Sequence, residues 1–328
     1  MSYKPEPYGI TGLMISQVYC IVVNWNGWRE TLRCVESLRT GVYPRRQIVV
    51  VDNGSTDESL SRLSAALHPP WERLIPVGAN LGFTGGANVG LRLALEEGAP
   101  YALLLNNDAT VAPDCLATLL DAAEQQPEAG FLGPRILWDA ERGRIWSAGI
   151  SVTWRQAAFV DHRDEPDGER HATRRIVDGL SGCALLVRRS VLERVGLLDE
   201  RYYAYYEDLD LCLRGARAGF TSLYVGDAVA YHAGSATANR GDGRSQSTFI
   251  NYYGARNALL CIALHAPPSE RPMALARLSG GLVAAEARIL AGGLLLRRPR
   301  SARRARAIAA GALDAARGRF GARQDIAP

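Results

Sequence analysis

The chain has 328 residues, 47% of them hydrophobic and 22% charged, a balance that excludes wholesale disorder and fits a globular body with a sizeable core. Its six cysteines (Cys20, Cys34, Cys115, Cys183, Cys212, Cys261) form no CxxC pair, which excludes a zinc ribbon or a disulfide framework and suits a reducing compartment. The net charge of +4 is uneven: nine arginines face the single acid Asp314 across residues 297–323, leaving 29 basic against 33 acidic residues elsewhere, so a uniformly basic nucleic-acid surface is excluded and no nucleic-acid partner is expected.

Residues 1–17 read as an N-terminal extension, broken by prolines, glycines and polar residues and lacking the basic flank and apolar core of a secretory signal. Val18 to Val23 is a buried-strand pattern, Trp28 to Arg39 an amphipathic helix, and Ile48 to Val51 a second strand. Ser55 with Glu58 three positions on reads as a capping box for the next helix. Leu74 to Val77 predicts a third strand, followed by a glycine-rich turn over Gly78 to Gly86 and a helix to about Glu97. Tyr101 to Leu105 is the fourth strand, and Pro113 suits the first turn of the helix after it. This alternation predicts βαβ units and a mainly parallel sheet covered on both faces. The rhythm then changes. Residues 131–188 predict antiparallel strands and a long loop, followed by helices over Ser190 to Gly196 and Glu207 to Ala218 and two short strands, Ser222 to Val225 and Val229 to His232. Pro267 and Pro268 mark a boundary before an Ala/Leu/Arg-rich helical tail.

Ligands of an open parallel sheet bind at the carboxyl ends of its strands. Three such ends carry polar clusters here, Asn24 to Asn26, Asp52 to Asp57 and Asn106 to Asp108, and the turn Gly78 to Gly90 would line the same edge. Asp52 is placed to accept from a pyrimidine N–H or a ribose hydroxyl, whereas Asp57 is equally a helix cap. Asp108 offers one carboxylate, enough for Mg2+ or Mn2+ when diphosphate oxygens complete the shell; a solvated βα turn is the plain alternative. The densest cluster is YYAYYEDLDLCLR, residues 202–214. Helix capping and an Asp210–Arg214 pair account for two of its three acids and leave Asp208 as a candidate general base. His232 is either structural or a member of a metal shell.

Taken together, VVNWNG (22–27), VVVDNGSTD (49–57), NLGFTGGANVG (80–90), LLLNNDA (103–109), GLSGCALLVRR (179–189), LDERYYAYYEDLDLCLR (198–214) and YHAGSAT (231–237) resemble the family 2 glycosyltransferases, and within them the bacterial rhamnosyltransferase-like branch. The resemblance covers residues 18–257. It implies an α/β fold of GT-A type: a Rossmann-like, mainly parallel sheet with a small antiparallel acceptor-side portion. Residues 18–130 would be the nucleotide-binding half, 131–266 the acceptor and catalytic half, and 267–328 a basic helical appendage. The implied reaction is inverting, metal-dependent transfer of a sugar, with rhamnose a candidate, in bacterial surface polysaccharide synthesis. The donor would be a dTDP- or UDP-linked sugar and the acceptor a hydroxyl of a glycan or polyprenyl-linked molecule. By the same resemblance Asn24 and Asp52 sit at the base and ribose, and Asn80, Gly82, Gly85, Gly86, Asn88 and Asn107 hold the donor. Asp108 and His232 bind Mg2+ or Mn2+. Asp208 is the base, with Glu207 beside it, and Gly182 lies where donor and acceptor sites meet. Asn106 stands where the family's DxD signature has its first acid. Two rival readings are a nucleotidyltransferase that makes nucleotide sugars and a nucleotide-sugar-binding protein without chemistry. A nucleotidyltransferase usually carries a Gly-rich basic loop after the first strand, and NWNGWRE lacks one.

The tail joins ILAGGLLL (289–296) to the arginine cluster, a combination that suits an anionic membrane surface. An amphipathic helix docked on the body is the alternative. No stretch reaches the roughly twenty apolar residues that a bilayer span requires. The expectation is a cytoplasmic protein, peripheral on the inner face of the membrane.

Overall fold

The computed structural model describes residues 16–234, 244–295, 299–323 and 325–326. The N-terminal extension up to residue 15, residues 235–237 of the YHAGSAT motif, and Arg297 and Arg298 of the basic cluster lie outside them. The chain begins with β1 (Val18–Asn24), α1 (Trp28–Arg39), β2 (Arg46–Asp52), α2 (Ser59–Ala66), β3 (Glu72–Pro76), α3 (Gly82–Glu96) and β4 (Tyr101–Asn106). β1, β2 and β4 are buried on both faces, as their unbroken apolar runs require. In α1 the buried residues Thr31, Cys34, Val35 and Leu38 follow the helical repeat and seal one face of the sheet.

The second half contains β5 (Ala109–Val111), α4 (Cys115–Gln125), β6 (Ala129–Trp138), β7 (Ile145–Ser147), β8 (Ser151–Thr153), β9 (Ala158–Val160), β10 (Arg174–Val177), β11 (Ala184–Arg188), α5 (Arg189–Val195), α6 (Glu207–Arg217) and β12 (Thr221–His232). Three helices end the chain: α7 (Arg244–His265), α8 (Arg271–Leu295) and α9 (Pro299–Ala316). The main sheet runs β10-β12-β6-β11-β4-β1-β2-β3, with β5 on β12 and β7 on β6, and β8 pairs with β9 in a separate hairpin. β1, β2, β3 and β4 are parallel; β11 runs antiparallel between β4 and β6, while β12 is parallel to β6.

Three local expectations are corrected. Ser55 does not cap a helix: α2 starts at Ser59, and it is Asp57 Oδ1 that accepts the Ser59 N–H at 2.9 Å. The intervening turn leaves Ser55 too far upstream to reach the first helical amides. The glycine-rich segment is a turn only as far as Leu81, because α3 begins at Gly82 and takes Gly85 and Gly86 into its first turns. The two short strands near 222–232 are one strand, β12, whose register against β6 shifts between Val225 and Val229.

The described part of the tail docks on the body through α7. Tyr252 OH donates to Asp314 Oδ2 at 2.7 Å, the Arg323 guanidinium meets the same oxygen at 2.6 Å, and the Arg323 N–H donates to Tyr253 OH at 3.0 Å. At Gly311 a Cβ would lie 2.4 Å from the Tyr252 carbonyl oxygen, so α9 touches the α7 backbone where only glycine fits.

Candidate active site

A line of side-chain hydrogen bonds ties together the carboxyl ends of three strands. Asn107 Nδ2 donates to Thr31 Oγ1 at 3.2 Å, Thr31 to Asn24 Oδ1 at 2.7 Å, and Asn24 Nδ2 to Asp52 Oδ2 at 2.7 Å. Asp52 also accepts the Ser55 hydroxyl at 2.6 Å and the Ser55 N–H at 3.1 Å. Asn24 is 0% and Asp52 1% exposed. The Asn24 amide is thus fully engaged within the protein, and Asp52 keeps one acceptor position on Oδ1. Sequence reading passed over Thr31, since a Thr in the first turns of a helix carries no signal of such a role, and took Ser55 for a helix cap.

The glycine segment braces α3 against its neighbours. Gly82 has φ +73°, and a Cβ there would lie 2.5 Å from the Tyr203 ring. A Cβ on Gly86 would lie 2.8 Å from Val23 Cγ1 of β1, and one on Gly85 2.6 Å from Leu81 Cβ. Asn80 Oδ1 accepts the Gly82 N–H at 2.9 Å and the Tyr203 hydroxyl at 3.3 Å. Asn88 reaches a different place: it pairs with the Leu198 backbone at 2.9 and 3.1 Å and with Glu200 at 3.0 Å. Asn80 and Gly82 therefore meet the acid-bearing loop, and Asn88 fastens α3 to the segment before it.

Asp108 and His232, 124 positions apart in the chain, are neighbours because β5 pairs with β12, placing His232 opposite Ala109. His232 Nε2 lies 3.1 Å from Asp108 Oδ1, with both side chains buried. Trp146, which sequence reading missed, covers the imidazole at a centroid distance of 4.3 Å. His232 Nδ1 accepts the Gly234 N–H at 3.0 Å, which assigns the ring proton to Nε2, facing Asp108. Two atoms 3.1 Å apart are spaced as adjacent ligands about 2.1–2.2 Å from a common octahedral cation. No group of three or more His, Cys, Asp or Glu side chains that could hold a metal occurs among the described residues. The pair would suit a divalent ion whose other positions were filled by substrate oxygens and water, with the ring in the other tautomer, its proton on Nδ1 and the Gly234 N–H released.

The three acids of α6 have three different environments. Asp210 is bound to His265 at 2.7 Å and to Arg214 at 2.8 Å; burial pushes its carboxyl up, but these two partners outweigh burial and hold it below its ordinary value. Its work is structural, as the Asp210–Arg214 spacing predicts. Asp208 Oδ2 accepts the Gly182 N–H and Oδ1 the Leu209 N–H, each at 2.7 Å. Burial raises the Asp208 carboxyl, and these N–H groups restrain the rise. Glu207 is pushed well above the usual carboxylate range, by burial first and then by the charge of Asp208. Its buried Oε2 meets no hydrogen-bond partner among the described residues. Both neighbouring carboxyls are raised, Glu207 well above its ordinary value, and Asp208 is the one whose two oxygens accept backbone N–H groups from Gly182 and Leu209.

The loop into α6 is strained. Tyr203, Tyr205 and Tyr206 have φ of +64°, +70° and +73°, at about 1–2 kcal/mol each for non-glycine residues. Of the four tyrosines, Tyr202 is buried in the core, Tyr203 stacks on Tyr253 at 5.2 Å and Tyr206 meets Phe159 edge-on at 5.4 Å. Only Tyr205 is exposed. Asp108 and Asp208 share a neighbour in Cys183, whose thiol is raised well above its usual value by burial first, with both carboxylates adding to the rise. The two acids thus act on one small region at the carboxyl edge of the sheet.

This sheet, four parallel strands continued by an antiparallel strand and a second parallel pair, is a fold of GT-A type. The family model for glycosyl transferase family 2 matches residues 19–196, and the chain belongs to that family. It is 34% identical over 240 residues to the N-acetylglucosaminyl-diphospho-decaprenol L-rhamnosyltransferase of Mycobacterium tuberculosis, covering 65% of this chain and 74% of the relative. It is 24% identical to a dTDP-rhamnosyl transferase of Shigella flexneri, covering 76% of this chain and 81% of the relative. Among solved structures, a mannosyltransferase from Pyrobaculum calidifontis in complex with GDP-Man and Mn2+ shares the fold with a TM-score of 0.56 at 19% identity, covering 95% of this chain and 90% of the other.

Proposed function

We propose that this glycosyltransferase moves a sugar, rhamnose in the favoured reading, from a dTDP- or UDP-linked donor to a hydroxyl of a glycan or polyprenyl-linked acceptor in cell-surface polysaccharide synthesis, with inversion at the anomeric carbon. The reading is carried by the Gly182 N–H on Asp208 at 2.7 Å, next to Cys183, whose carbonyl accepts the Asn106 N–H at 2.9 Å two residues before Asp108; the activities of the mycobacterial and Shigella relatives support the choice of sugar and acceptor. Asp208, ionised and held on the Gly182 N–H, takes the proton of the attacking hydroxyl. One base suffices for a single displacement. Glu207, kept protonated by its burial, offers a hydrogen bond to the acceptor and adds no charge near the departing diphosphate. Asp52 meets the nucleoside through its remaining acceptor position, while Asn24, Asn107, Asn80 and Gly82 fix the strand ends around it. Asp108 and His232 would hold Mg2+ or Mn2+, which when bound neutralises charge on the leaving diphosphate.

The test is transfer of radiolabelled rhamnose from dTDP-rhamnose to a synthetic N-acetylglucosaminyl-diphosphoprenol, with Mn2+ and with EDTA. A labelled disaccharide lipid of inverted configuration that forms only with metal is the expected product. Transfer unaffected by EDTA would overturn the metal assignment, retention of configuration would overturn the displacement, and absence of product would overturn the donor and acceptor.

We further infer a peripheral position on an anionic membrane. No helix of the described residues is long and apolar enough to cross one. α8, however, leaves Met273, Val283 and Leu290 exposed, Val283 by 65%, and α9 exposes Arg303, Arg304 and Arg306, an apolar face with basic residues of the kind that rests at a lipid interface. Val283→Asp with Leu290→Asp should abolish co-sedimentation with phosphatidylglycerol vesicles while leaving the fold intact, because neither side chain is buried. Undiminished co-sedimentation would refute this placement.

A further inference from the structure

The left-handed turn that carries the acids has a support outside the matched family segment, which ends at residue 196. Arg256 and Asn257 sit side by side in α7, 1% and 0% exposed. Asn257 Nδ2 faces the carbonyl oxygens of Tyr202, Ala204 and Tyr205 at 2.9, 2.7 and 2.9 Å. Arg256 Nε donates to Asn257 Oδ1 at 2.9 Å, which fixes the amide with its nitrogen toward the turn. The rest of the guanidinium donates to the carbonyls of Arg201 at 3.0 Å, Tyr202 at 2.9 Å and Gly321 at 2.7 Å. From the opposite side, the Thr84 N–H of α3 donates to the Tyr203 carbonyl at 3.2 Å. No carboxylate pairs with Arg256 among the described residues.

We propose that Arg256 and Asn257 are positioning residues for sugar transfer: they impose the Tyr203–Tyr206 backbone that holds Asp208 and Glu207 at the carboxyl edge of the sheet. A buried guanidinium without a carboxylate is a poor device for packing alone, since an apolar side chain of similar volume serves a core as well or better. Here all of its polar contacts go to backbone oxygens and to the amide that holds the turn. The carbonyls of Tyr202, Ala204 and Tyr205, crowded into one left-handed turn, are not all satisfied by a regular helix or strand, so the turn depends on a donor brought from another element. Through Gly321 the same arginine links the turn to the C-terminal segment, which makes the tail part of the catalytic framework. The inference rests on the reading of Asp208 as base.

Asn257→Ser and Arg256→Lys, the milder changes, and Asn257→Leu, the severe one, test it in the full-length chain. Hydrogen–deuterium exchange of residues 203–209 is measured beside that of β1 and β2, together with kcat, donor KM and the pH dependence of kcat in the rhamnose assay. The expected result is at least tenfold faster exchange confined to 203–209, kcat down at least tenfold with donor KM within threefold, and an acid limb displaced toward the ordinary carboxylate range as water reaches Asp208. Arg256→Lys, which keeps the charge and part of the bonding, should fall between wild type and Asn257→Ser. Exchange at 203–209 equal to wild type, exchange raised equally throughout, or a lower melting temperature with kcat and pH limb unchanged would each overturn the proposal. Exchange needs no substrate, so a wild-type chain inactive on dTDP-rhamnose would defeat the donor assignment while exchange still decides the role of the pair.

Discussion

Asp208→Asn separates the base from the donor site. The substitution keeps the shape but turns one carboxylate oxygen into an NH2 group, and both oxygens now accept backbone N–H groups at 2.7 Å. Whichever way the amide sits, one N–H loses its acceptor, at a cost of about 1.5–3 kcal/mol for a bond to a charged group, offset in part because a buried charge is removed. Folding should therefore survive with a modest loss. Catalysis should not: general-base catalysis contributes roughly 10²–10⁴ in rate, about 2.7–5.4 kcal/mol of barrier. The assay pairs steady-state transfer with calorimetric binding of the donor nucleotide, and the expected pattern is kcat down by about that factor with donor affinity within twofold. In the wild type, burial raises the Asp208 carboxyl and only its ionised form accepts a proton, so kcat should fall on acidification through a limb above about 3.9. Near-normal transfer by the Asn variant, or donor affinity lost in step with kcat, would refute the assignment.

Asp108→Asn removes the carboxylate beside His232 and should weaken Mn2+-dependent binding of nucleoside diphosphate and turnover together, by tenfold or more, as read by calorimetry with and without the metal; metal-dependent binding at wild-type strength would exclude it as a ligand. Glu207→Gln should stabilise the protein at pH 8 by about 1–3 kcal/mol. The folded chain holds the Glu207 proton more tightly than the unfolded chain, so the stability it lends is present below the unfolded value and lost as pH rises through the folded one. The gain should shrink as pH falls toward 4, and equal melting temperatures at pH 8 would contradict the burial argument. Asp210→Ala strips His265 and Arg214 of a buried partner and should cost about 3–5 kcal/mol, visible in urea unfolding; unchanged stability would remove Asp210 from the structural role. Gly86→Ala pushes a methyl to 2.8 Å from Val23 Cγ1 and should destabilise by about 1–3 kcal/mol, so a melting temperature equal to wild type would show that α3 can shift off β1.

Sequence pattern alone reveals the elements whose burial is continuous or strictly periodic. β1, β2, β4 and α1 fall within two residues of expectation because parallel strands buried on both faces leave no polar interruption. β6 was less legible, since Pro134 and Arg135 interrupt a strand that nonetheless pairs over most of its length with β12. Asp108, Asp208 and His232 could be singled out by residue type and position, but not their company. That Asn24 faces Asp52, or that Trp146 lies on His232, depends on contacts between segments far apart in the chain. The Arg256–Asn257 pair did leave a trace, as the polar interruption in GARNALLCIALH. A buried charge inside an apolar helix needs partners, and one chain's sequence does not name them.

That Asp108 and Asp208 lie at the same edge of the sheet follows from the direction of one strand. In a parallel sheet every strand ends at the same edge, and the residue before the next strand lies at the opposite one. β11 is antiparallel, so it starts where β4 finishes: Ala184 pairs with Leu105, and Asn106 donates its N–H to the Cys183 carbonyl at 2.9 Å. Gly182 is therefore within about one strand spacing, roughly 4.8 Å, of the residues that lead into Asp108. Asp208 needs only to bond the Gly182 N–H to stand beside that edge, and the close approach is possible because a Cβ at 182 would sit 3.2 Å from Asp208 Cβ. Had β11 been parallel, Gly182 and the acid it holds would lie at the amino edge of the sheet, a strand length away from Asp108. The antiparallel insertion between two parallel blocks is thus what brings acids one hundred residues apart in the chain to one edge of the sheet.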